Sequence, residues 1–391
     1  MSNNYAGLRS EFGQDKVGMA RCADRLIAIR ASLSDLRERK SDSSILLATW
    51  NIRDFDSNKF GFGPRLKETF YYLAEMVSAF DIVALQEVNR DLSALKTLMK
   101  ILGREWDYIV TDATEGAGGN EERMAFVYNT EKVFFRKIAG EVVLPEGQLV
   151  VSQKIQKKDE PVDAGEAPEE VKQQFARTPF LVAFQAGWFR FSLCTVHIYY
   201  GSESGPQLKR RIAEIERLVE FFAKRQDREE AAAKKANGRA NVSEAVENYI
   251  LLGDFNVVSP EHETMAALKS NGFAVPAAID GKTVRKDGAH FYDQIAVRTK
   301  DPRFKVVGGG MVDMFQDVFR DTPEDRALYG RHMPRKDPEQ NPEYVAKTEE
   351  ALYRKWRTWQ MSDHSPLWVE IRTDFTDDYL ARLITEGQAP Q

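Results

Sequence analysis

The chain has 391 residues, of which 42% are hydrophobic and 29% are charged, a composition typical of a globular protein with a large core. Its formal net charge of −5 argues against a protein that coats nucleic acid through a basic excess, but it leaves open an enzyme that meets phosphate through bound cations. Two cysteines, Cys22 and Cys194, are too few for a disulfide framework, so we expect two buried, inert thiols and a reducing compartment.

The N-terminal part of the chain predicts a helix and no targeting segment. The first residues do not combine a charged start with an apolar run, and no stretch approaches ~18 consecutive apolar residues. We therefore predict a cytoplasmic protein with no signal peptide and no membrane span. Within an N-terminal extension of residues 1–40, residues 14–40 place apolar side chains at roughly helical spacing. This amphipathic helix is predicted either to cover the core or to bind a protein partner.

Short apolar runs and helix-like segments follow in the next part of the chain. Residues 45–50 form a continuous apolar run typical of a strand that is buried on both faces. Residues 65–79 and 91–102 have a helical pattern. Further strand-like runs occupy residues 82–85, 124–128, 180–184, 189–198, 249–252, 290–297 and 367–371. Many strands with interspersed helices and no internal repeat predict an α/β fold, in which two packed sheets are flanked by helices in one domain of residues 41–375.

Three polar stretches interrupt this pattern, and each is predicted to be a surface insertion. Residues 152–174 are acidic and predict a loop, whereas residues 224–245 are charged and Ala-rich and extend a helix that begins near Pro206. Residues 320–360 are mixed in charge and contain several prolines; their basic side chains near Trp356 predict either an arm that grips a nucleic-acid backbone or a solvated helix. Residues 376–391 predict a C-terminal helix or tail.

Polar side chains recur where the predicted strands begin or end, which is the rim of a sheet where sites form. One such residue alone is more often a turn residue or a solvated side chain. Six coincidences are a stronger signal, and together they favour one common site. The residues concerned are Asn51, Glu87, His197, Asp254 with Asn256, Asp293, and Asp363 with His364.

These residue types suit the hydrolysis of a phosphodiester, which needs charge stabilisation on the phosphoryl oxygens and a positioned water. The carboxylates of Glu87 and Asp363 are hard oxygen ligands of the kind that Mg²⁺ or Mn²⁺ prefers. A carboxylate beside His364 would hold the imidazole in one tautomer and stabilise its charged form, and Asp293 is the candidate. Asp254 can orient or deprotonate the water.

The same segments resemble the endonuclease/exonuclease/phosphatase superfamily, which contains DNase I and the abasic-site endonucleases. The matching stretches follow the order of the family and cover most of the chain. They are residues 49–53, 81–88, 196–197, 252–256, 292–295 and 362–366. The resemblance implies a four-layer α/β sandwich with two mainly antiparallel sheets. It also implies a hydrolase that depends on Mg²⁺, for which Mn²⁺ is a plausible substitute.

The resemblance also assigns roles around the metal and the attacking water. It implies that Glu87 is the main metal ligand, with Asn51 beside it and Asp363 near the metal. Asp254 would act on the nucleophilic water, and Asn256 would stabilise the phosphoryl group.

Further roles follow from the same resemblance. His364, paired with Asp293, would contact the scissile phosphate as acid or base. The family places either Tyr or His at the position of His197, which would donate to the phosphoryl oxygens. Arg177 begins an Arg-x-Pro stretch that resembles a phosphate-contacting segment of the family. Arg123 is a second candidate phosphate contact, from its position at the start of a predicted strand and not from the resemblance.

Three functions remain open at this point. The first is an endonuclease that hydrolyses DNA, with RNA also possible, because His197 and the Asn-Ile-Arg that begins at Asn51 look more like DNase I than like the abasic-site enzymes. The second is an enzyme of the same fold that acts on a phospholipid or a phosphorylated small molecule. The third is an inactive nucleic-acid-binding module; a chelator-sensitive activity would exclude it.

Overall fold

The structure, a computed structural model, describes residues 3–57, 61–113, 122–153, 169–237, 242–283, 291–334 and 347–388. The strands of this part of the chain are β1 (Ser44–Phe55), β2 (Ile82–Val88), β3 (Trp106–Val110), β4 (Arg123–Asn129), β5 (Phe134–Glu141), β6 (Val150–Gln153), β7 (Glu170–Gln173), β8 (Phe180–Ala186), β9 (Phe189–His197), β10 (Asn248–Asp254), β11 (Asp293–Arg298), β12 (Val306–Met311) and β13 (Leu367–Arg372).

The α-helices of the described residues alternate with these strands and with the loops between them. They are α1 (Leu8–Phe12), α2 (Lys16–Ser32), α3 (Ser34–Glu38), α4 (Lys67–Val77), α5 (Ser93–Leu102), α6 (Gly205–Asn237), α7 (Val242–Ala245), α8 (Glu263–Leu268), α9 (Pro323–Tyr329), α10 (Glu349–Gln360) and α11 (Thr376–Gln388). None of the helices in the described ranges is long and apolar enough to cross a membrane.

Two large sheets form the centre of the fold, and this confirms the predicted α/β sandwich. One has six strands in the order β12-β13-β1-β2-β4-β3, and the other has five in the order β11-β10-β9-β8-β5. Each large sheet contains one parallel pair, β1 with β2 and β9 with β10, whereas the remaining pairs are antiparallel. The parallel pairs bring two strand ends together at one edge of each sheet, where polar side chains from different parts of the chain can meet.

The side chains of β1 show how the layers are built. Ile45 and Leu47 lie in the apolar core between the two sheets, whereas Leu46 and Trp50 lie in a second core between the six-stranded sheet and its helices. All four are fully buried. This two-sided burial explains the continuous apolar run in the sequence, because alternate side chains of a strand point to opposite faces.

Both cysteines lie in these cores. Cys194 lies on the face of β9 opposite to Thr195, in the core that also includes residues of α6, and Cys22 lies in the helical core; both are free thiols. Burial raises the pKa of Cys22 to about 12 and also raises the pKa of Cys194. The expectation of buried thiols is therefore confirmed for both residues.

The N-terminal segment packs against the helical core as more than one helix. The predicted helix of residues 14–40 is instead broken at Leu33, where α2 ends and α3 begins. Helix α2 buries Cys22, Leu26 and Ile29 against the core that includes α4. The buried face of α2 therefore covers the core, which was one of the two roles predicted for this segment. The other role, binding of a protein partner, stays a prediction.

All three interrupting stretches lie partly outside the described residues, which omit residues 154–168, 238–241 and 335–346. Where a loop was predicted at residues 152–174, the flanking residues pair as β6 and β7, and residues 154–168 are outside the described ranges. The helix predicted near Pro206 is α6, which continues to Asn237.

The described part of the third stretch, residues 320–360, contains a helix that packs against the helical core. Helix α10 buries Trp356 and Trp359 completely within the helical core. The helix is amphipathic, with exposed basic side chains such as Arg354 on its outer face. The aromatic side chains are therefore unavailable to stack on nucleic acid. The basic outer face agrees with a solvated helix, whereas residues 335–346 lie outside the described residues, so an arm that grips a nucleic-acid backbone stays a prediction.

Candidate functional site

The site is built first from the ends of β1 and β2. Asn51 lies near the end of β1 and Glu87 near the end of β2, and both belong to the parallel pair. The backbone at Arg53, Asp54 and Glu87 is in the left-handed region, with φ of 54°, 44° and 59°. Such conformations are sparsely populated by non-glycine residues, so their surroundings must hold them in place.

Hydrogen bonds orient the carboxylate of Glu87. Asn51 Nδ2 donates to Glu87 Oε1 at 2.8 Å and lies 3.1 Å from Asp254 Oδ2. The backbone N–H of Asp54 donates to Glu87 Oε2 at 3.0 Å. One amide therefore connects carboxylates from the two sheets. Burial raises the pKa of Glu87; His197 opposes this rise, and the Glu122 carboxylate adds to it.

A hydrogen-bonded cluster connects the two sheets close to the site, through side chains of β1, β2 and β9. Gln86 Nε2 donates to Thr49 Oγ1 at 3.1 Å and to Thr195 Oγ1 at 2.9 Å. All three side chains are buried. Because Thr195 belongs to the five-stranded sheet, Gln86 ties the two sheets together. Each of the three contacting residues lies one or two positions before a site residue on its strand: Asn51, Glu87 or His197.

The end of β10 supplies Asp254 and Asn256. Gly253 has φ of 136°, and a Cβ at this position would lie 2.2 Å from the carbonyl oxygen of Val196, so the close approach of β9 and β10 requires glycine. Asn256 N donates to Asp254 Oδ1 at 3.0 Å, and Asn256 Nδ2 donates to the Ile198 carbonyl at 2.7 Å. One N–H of this amide therefore fixes the side chain, and an amide nitrogen carries a second N–H that can serve a ligand.

His364 and Asp293 form a buried pair from the two sheets. His364 Nδ1 lies 2.5 Å from Asp293 Oδ2, and the Asp293 side chain is fully buried. Trp50 Nε1 donates to the His364 carbonyl at 2.8 Å, which fixes the backbone of this residue. Burial lowers the pKa of His364, but the Asp293 carboxylate outweighs it and raises the pKa to about 10. The imidazole is therefore protonated at neutral pH.

His197 belongs to a second histidine–carboxylate pair, and its partner Glu122 was missed in the sequence. His197 Nδ1 lies 3.0 Å from Glu122 Oε2, and the same oxygen lies 3.0 Å from Arg177 Nε. His197 Nε2 lies 3.7 Å from Asp254 Oδ2 and 4.0 Å from Glu87 Oε1. Burial and the Arg177 charge lower the pKa of His197, but Glu122 and Asp254 raise it above its ordinary value.

A sequence signal for Glu122 does exist. Strand β4 is antiparallel to β2, and Arg123 at its start pairs with Val88 at the end of β2. A residue just before β4 therefore lies at the same edge of the sheet as Glu87. The start of an antiparallel strand and the end of its neighbour lie at the same edge of a sheet. An acidic residue just before an antiparallel strand is therefore as good a candidate for the site as one that follows a parallel strand.

The remaining predicted site residues lie around this centre. Arg177 contacts Glu122, as described above, and thereby joins the site. Arg123 Nη1 donates to the Thr111 carbonyl at 2.7 Å and lies 3.2 Å from Asp112, so it braces a loop. Asp363 is about one-third exposed, and its Oδ1 lies 3.8 Å from Arg53 Nε.

Two buried arginines hold the loops that carry the site. Arg65 donates to the carbonyls of Ile52, Arg53 and Trp359 at 2.7, 2.8 and 2.9 Å, which ties the end of β1 to the end of α10. Arg211, which is fully buried, donates to the Asn256 carbonyl at 3.0 Å and to carbonyls of the loop after β9. The rigid fork of a guanidinium suits such multiple contacts.

The donor set fits a hard divalent cation. In the described part of the chain, no three His, Cys, Asp or Glu side chains are grouped so that they alone would enclose a metal. Mg²⁺ does not need such a cage, because it commonly binds through one or two carboxylates and keeps several waters. Glu87 and Asp254 share one amide donor, and the fully buried Asp293 Oδ1 has no hydrogen-bond partner among the described residues. This excess of negative charge favours a cation.

Comparisons with solved structures find chains to which this one is similar. An endonuclease/exonuclease/phosphatase family protein from Bacteroides thetaiotaomicron is 19% identical with a TM-score of 0.45, over 85% of this chain and 98% of that chain. A mannosyl-6-phosphatase from the same organism is 20% identical with a TM-score of 0.44, over 84% of this chain and 99% of that chain. The catalytic domain of human Nocturnin with bound sulfate is 12% identical with a TM-score of 0.46, over 84% and 94%.

No curated protein sequence is similar enough to this chain to count as a match. The sequence model of the Endonuclease/Exonuclease/phosphatase family, however, matches residues 48–364. This match covers most of the chain and includes each of the catalytic and metal-binding residues that the sequence predicts. The chain belongs to the endonuclease/exonuclease/phosphatase family, whose members are hydrolases.

Proposed function

We propose that this protein is a divalent-metal-dependent phosphodiesterase that hydrolyses nucleic acid, with DNA as the favoured substrate and RNA as a possible one. The main support is the convergence of two histidine–carboxylate pairs and two further carboxylates at one edge of the sandwich. DNA is favoured because His197 and the Asn-Ile-Arg stretch beginning at Asn51 resemble DNase I.

Glu87 and Asn51 would hold the cation, with Asp363 near it. When bound, Mg²⁺, or Mn²⁺ in its place, would polarise the phosphoryl oxygens and offset the negative charge of the substrate. The carboxylate of Glu87 is already oriented by Asn51 and by the N–H of Asp54, so little rearrangement is needed to present an oxygen ligand.

Asp254 is the residue that orients the attacking water and accepts its proton. Its Oδ1 accepts from the N–H of Asn256, whereas its Oδ2 faces Asn51 Nδ2 and His197 Nε2. The carboxylate is therefore fixed while one oxygen is directed into the site. The second N–H of Asn256 and, when the imidazole is protonated, Nε2 of His197 donate to the phosphoryl oxygens, where negative charge grows during the attack.

His364 acts as the general acid at the scissile phosphate. Its Nδ1 is occupied by Asp293, so Nε2 on the opposite side of the ring is the nitrogen that can transfer a proton. Asp293 keeps the imidazole charged before the reaction. A positioned general acid or base typically contributes ~10²–10⁴-fold to the rate.

The first test is cleavage of supercoiled plasmid, linear duplex DNA, single-stranded DNA and single-stranded RNA by the purified protein. Each reaction is run with Mg²⁺, with Mn²⁺ and with EDTA. We expect metal-dependent cleavage that disappears in His364→Ala. The matched control is Trp188→Ala. Trp188 is an exposed aromatic residue immediately before β9, and His197 lies at the opposite end of that strand, so the variant should cleave at the rate of the unchanged protein.

Absence of cleavage in every reaction, with a folded protein, would contradict the nucleic-acid assignment. The substrate would then be sought among phospholipids and phosphorylated small molecules. Metal-dependent release of phosphate from such a compound would keep the hydrolase chemistry and change only the substrate.

A further inference from the structure

A row of three aromatic rings leads outward from His364. The ring of Tyr292 is stacked on the imidazole of His364, with centroids 5.8 Å apart and an interplanar angle of 29°. The ring of Tyr200 meets Tyr292 edge-on, with centroids 6.0 Å apart and an angle of 77°. Tyr292 is 8% exposed, whereas Tyr200 is 39% exposed. The row therefore begins at the predicted general acid and ends in a ring that solvent reaches.

The exposed ring is held firmly from behind. The guanidinium carbon of Arg211 lies 4.6 Å from the centroid of the Tyr200 ring. Arg211 Nε donates to the Tyr200 carbonyl at 3.0 Å, and its Nη1 donates to the Asn256 carbonyl at 3.0 Å. The same buried cation thus fixes both the Tyr200 ring and the loop that carries Asn256. A rigid aromatic ring binds a ligand with little loss of side-chain entropy.

The surroundings of the ring limit what it can bind. Within residues 198–204, Tyr200 is the one exposed large apolar side chain. A membrane surface would need a wider apolar patch than a single ring. One flat ring beside a phosphate-hydrolysing centre matches one nucleobase, because every base presents a π-face that stacks on tyrosine.

We propose that Tyr200 is a stacking platform for an unpaired nucleobase of the nucleotide that adjoins the scissile phosphate. This inference rests on the proposed function and deepens it, because it names single-stranded nucleic acid as the preferred substrate class. A base inside a duplex is already stacked between its neighbours and cannot offer a free face to Tyr200. An unpaired base can be splayed out and stacked on an aromatic side chain.

The first measurement is binding without turnover. A single-stranded oligothymidylate that contains one 2-aminopurine is titrated in Mg²⁺ with the full-length Asp254→Asn protein, in which turnover should be lost, and the fluorescence of the analogue is recorded. The changes at Tyr200 and Trp188 are compared in this same background. We expect the fluorescence to fall as the analogue stacks on Tyr200. In Tyr200→Ala the fall should disappear, and the affinity should drop about tenfold, as typical for the loss of one base–aromatic stack. Tyr200→Phe should keep both the fall in fluorescence and the affinity, because its ring can still stack, and Trp188→Ala should match the protein that carries Asp254→Asn alone.

The second measurement is kinetic. With Mg²⁺ present, Tyr200→Ala should lower kcat/KM on a single strand about tenfold, mainly through KM, and should leave the cleavage of duplex DNA unchanged. When an abasic spacer replaces the stacked nucleotide, the unchanged protein and the variant should cleave at the same rate. A defect of equal size on single-stranded, duplex and abasic substrates would overturn the proposal, because only a general structural role would produce it.

The two measurements separate this inference from the proposed function. Quenching that depends on Tyr200, without cleavage of any nucleic acid, would keep the platform and reject the nuclease. Cleavage of nucleic acid with the same quenching and kinetics in Tyr200→Ala would keep the nuclease and reject the platform. Hydrolysis of a phosphorylated sugar or lipid, without quenching of 2-aminopurine, would reject both.

Discussion

Two regions of this molecule bury carboxylates, and the partners of those carboxylates differ. Between the N-terminal helices and α4, Glu68 lies 3.0 Å from Arg21, and Glu75 lies 3.0 Å from Arg30. At the edge of the sandwich, in contrast, Glu87 and Asp254 share one amide donor. Burial of charge is therefore common to both regions, but in the first each carboxylate faces an arginine, whereas in the second two carboxylates face each other across one amide.

The difference separates an interface from a site. A carboxylate that faces an arginine is neutralised in place, and its role is complete when the chain has folded. Burial raises the pKa of carboxylates in both regions, to about 7 for Glu75 and above the ordinary value for Glu87. The regions differ in the second cause: a hydrogen bond from Asn3 opposes the rise at Glu75, whereas at Glu87 the neighbouring carboxylate Glu122 adds to it, although His197 opposes it. The second region favours the binding of a cation or the uptake of a proton, and perturbed groups of this kind mark functional sites.

The largest expected effect is the loss of turnover from a change within the site. Asp254→Asn keeps the size of the side chain but removes the proton acceptor, so kcat should fall about 10³-fold or more. Because the change also relieves repulsion with Glu87, the urea midpoint should stay the same or rise. Steady-state kinetics and urea denaturation of the same preparation test both parts. A variant that keeps near-full turnover would remove Asp254 from the mechanism.

A change in the N-terminal interface should have the opposite signature. Glu75→Ala removes a buried carboxylate that bonds to Arg30 and Arg37, whose side chains are 42% and 21% exposed and can be solvated in its absence; the lost hydrogen bonds should lower the free energy of unfolding by about 1–3 kcal/mol. Activity per folded molecule should be unchanged, because no hydrogen bond or ion pair within the described ranges joins Glu75 to a site residue. Urea denaturation measures the loss of stability. A proportionate drop in the kcat of the folded protein would show that the two regions are coupled.

Glu122→Gln should have an intermediate effect. The variant keeps a hydrogen-bond acceptor near His197 Nδ1 but removes the negative charge, so the pKa of His197 should fall. We expect kcat to fall about tenfold at neutral pH, as is typical when the partner that orients a functional histidine is altered. NMR titration of the His197 ring would detect the lower pKa. An unchanged pKa would show that Glu122 does not set the charge of this imidazole.

The pair of His364 and Asp293 should make stability depend on alkaline pH. The pKa of His364 is raised to about 10, because the Asp293 carboxylate outweighs the effect of burial. The stabilisation from this pair is therefore complete below about pH 6.5, the ordinary histidine value, and is lost as the pH rises through about 10. Urea denaturation between these limits should show a fall that is smaller in Asp293→Asn. Parallel pH curves for the two proteins would contradict the assignment.

The smallest expected effect is a difference in reactivity between the two thiols. Both should be inert toward a disulfide reagent in the folded protein, because burial raises the pKa of each. In urea below the unfolding transition, Cys22 of the N-terminal helices should react before Cys194 in the central strand β9, since peripheral elements open at lower cost. Mass spectrometry of Cys22→Ser and Cys194→Ser assigns the rates. Simultaneous reaction of both thiols would indicate that the helices open only with the whole fold.

The central strands of the fold could be predicted from the sequence because they are buried on both faces. The runs that became β1, β2, β9 and β10 are nearly continuous in apolar residues, and most of the predicted site residues follow or flank them. Edge strand β5, in contrast, is largely exposed, with Phe134 61% exposed. Its composition therefore carries no clear burial pattern, and the sequence did not reveal it.

The misjudged parts depend on long-range contacts. Trp356 and Trp359 are surrounded in sequence by charged residues, and only the packing of α10 against the helical core shows that they are buried. Glu122 precedes a strand rather than following one, so its place at the site depends on the antiparallel pairing of β4 with β2. The roles of the individual site residues stay predictions until the variants described above are measured.

The position of β1 has a consequence for synthesis of the protein. Strand β1 pairs on one side with β2 and on the other with β13, in which Leu367 faces Thr49. The second partner is made roughly 300 residues later, which takes on the order of 15–60 s at ~5–20 residues per second. Throughout this interval one side of a buried apolar strand has no partner. A nascent chain in this state needs a chaperone or another temporary cover, since open strand edges promote aggregation.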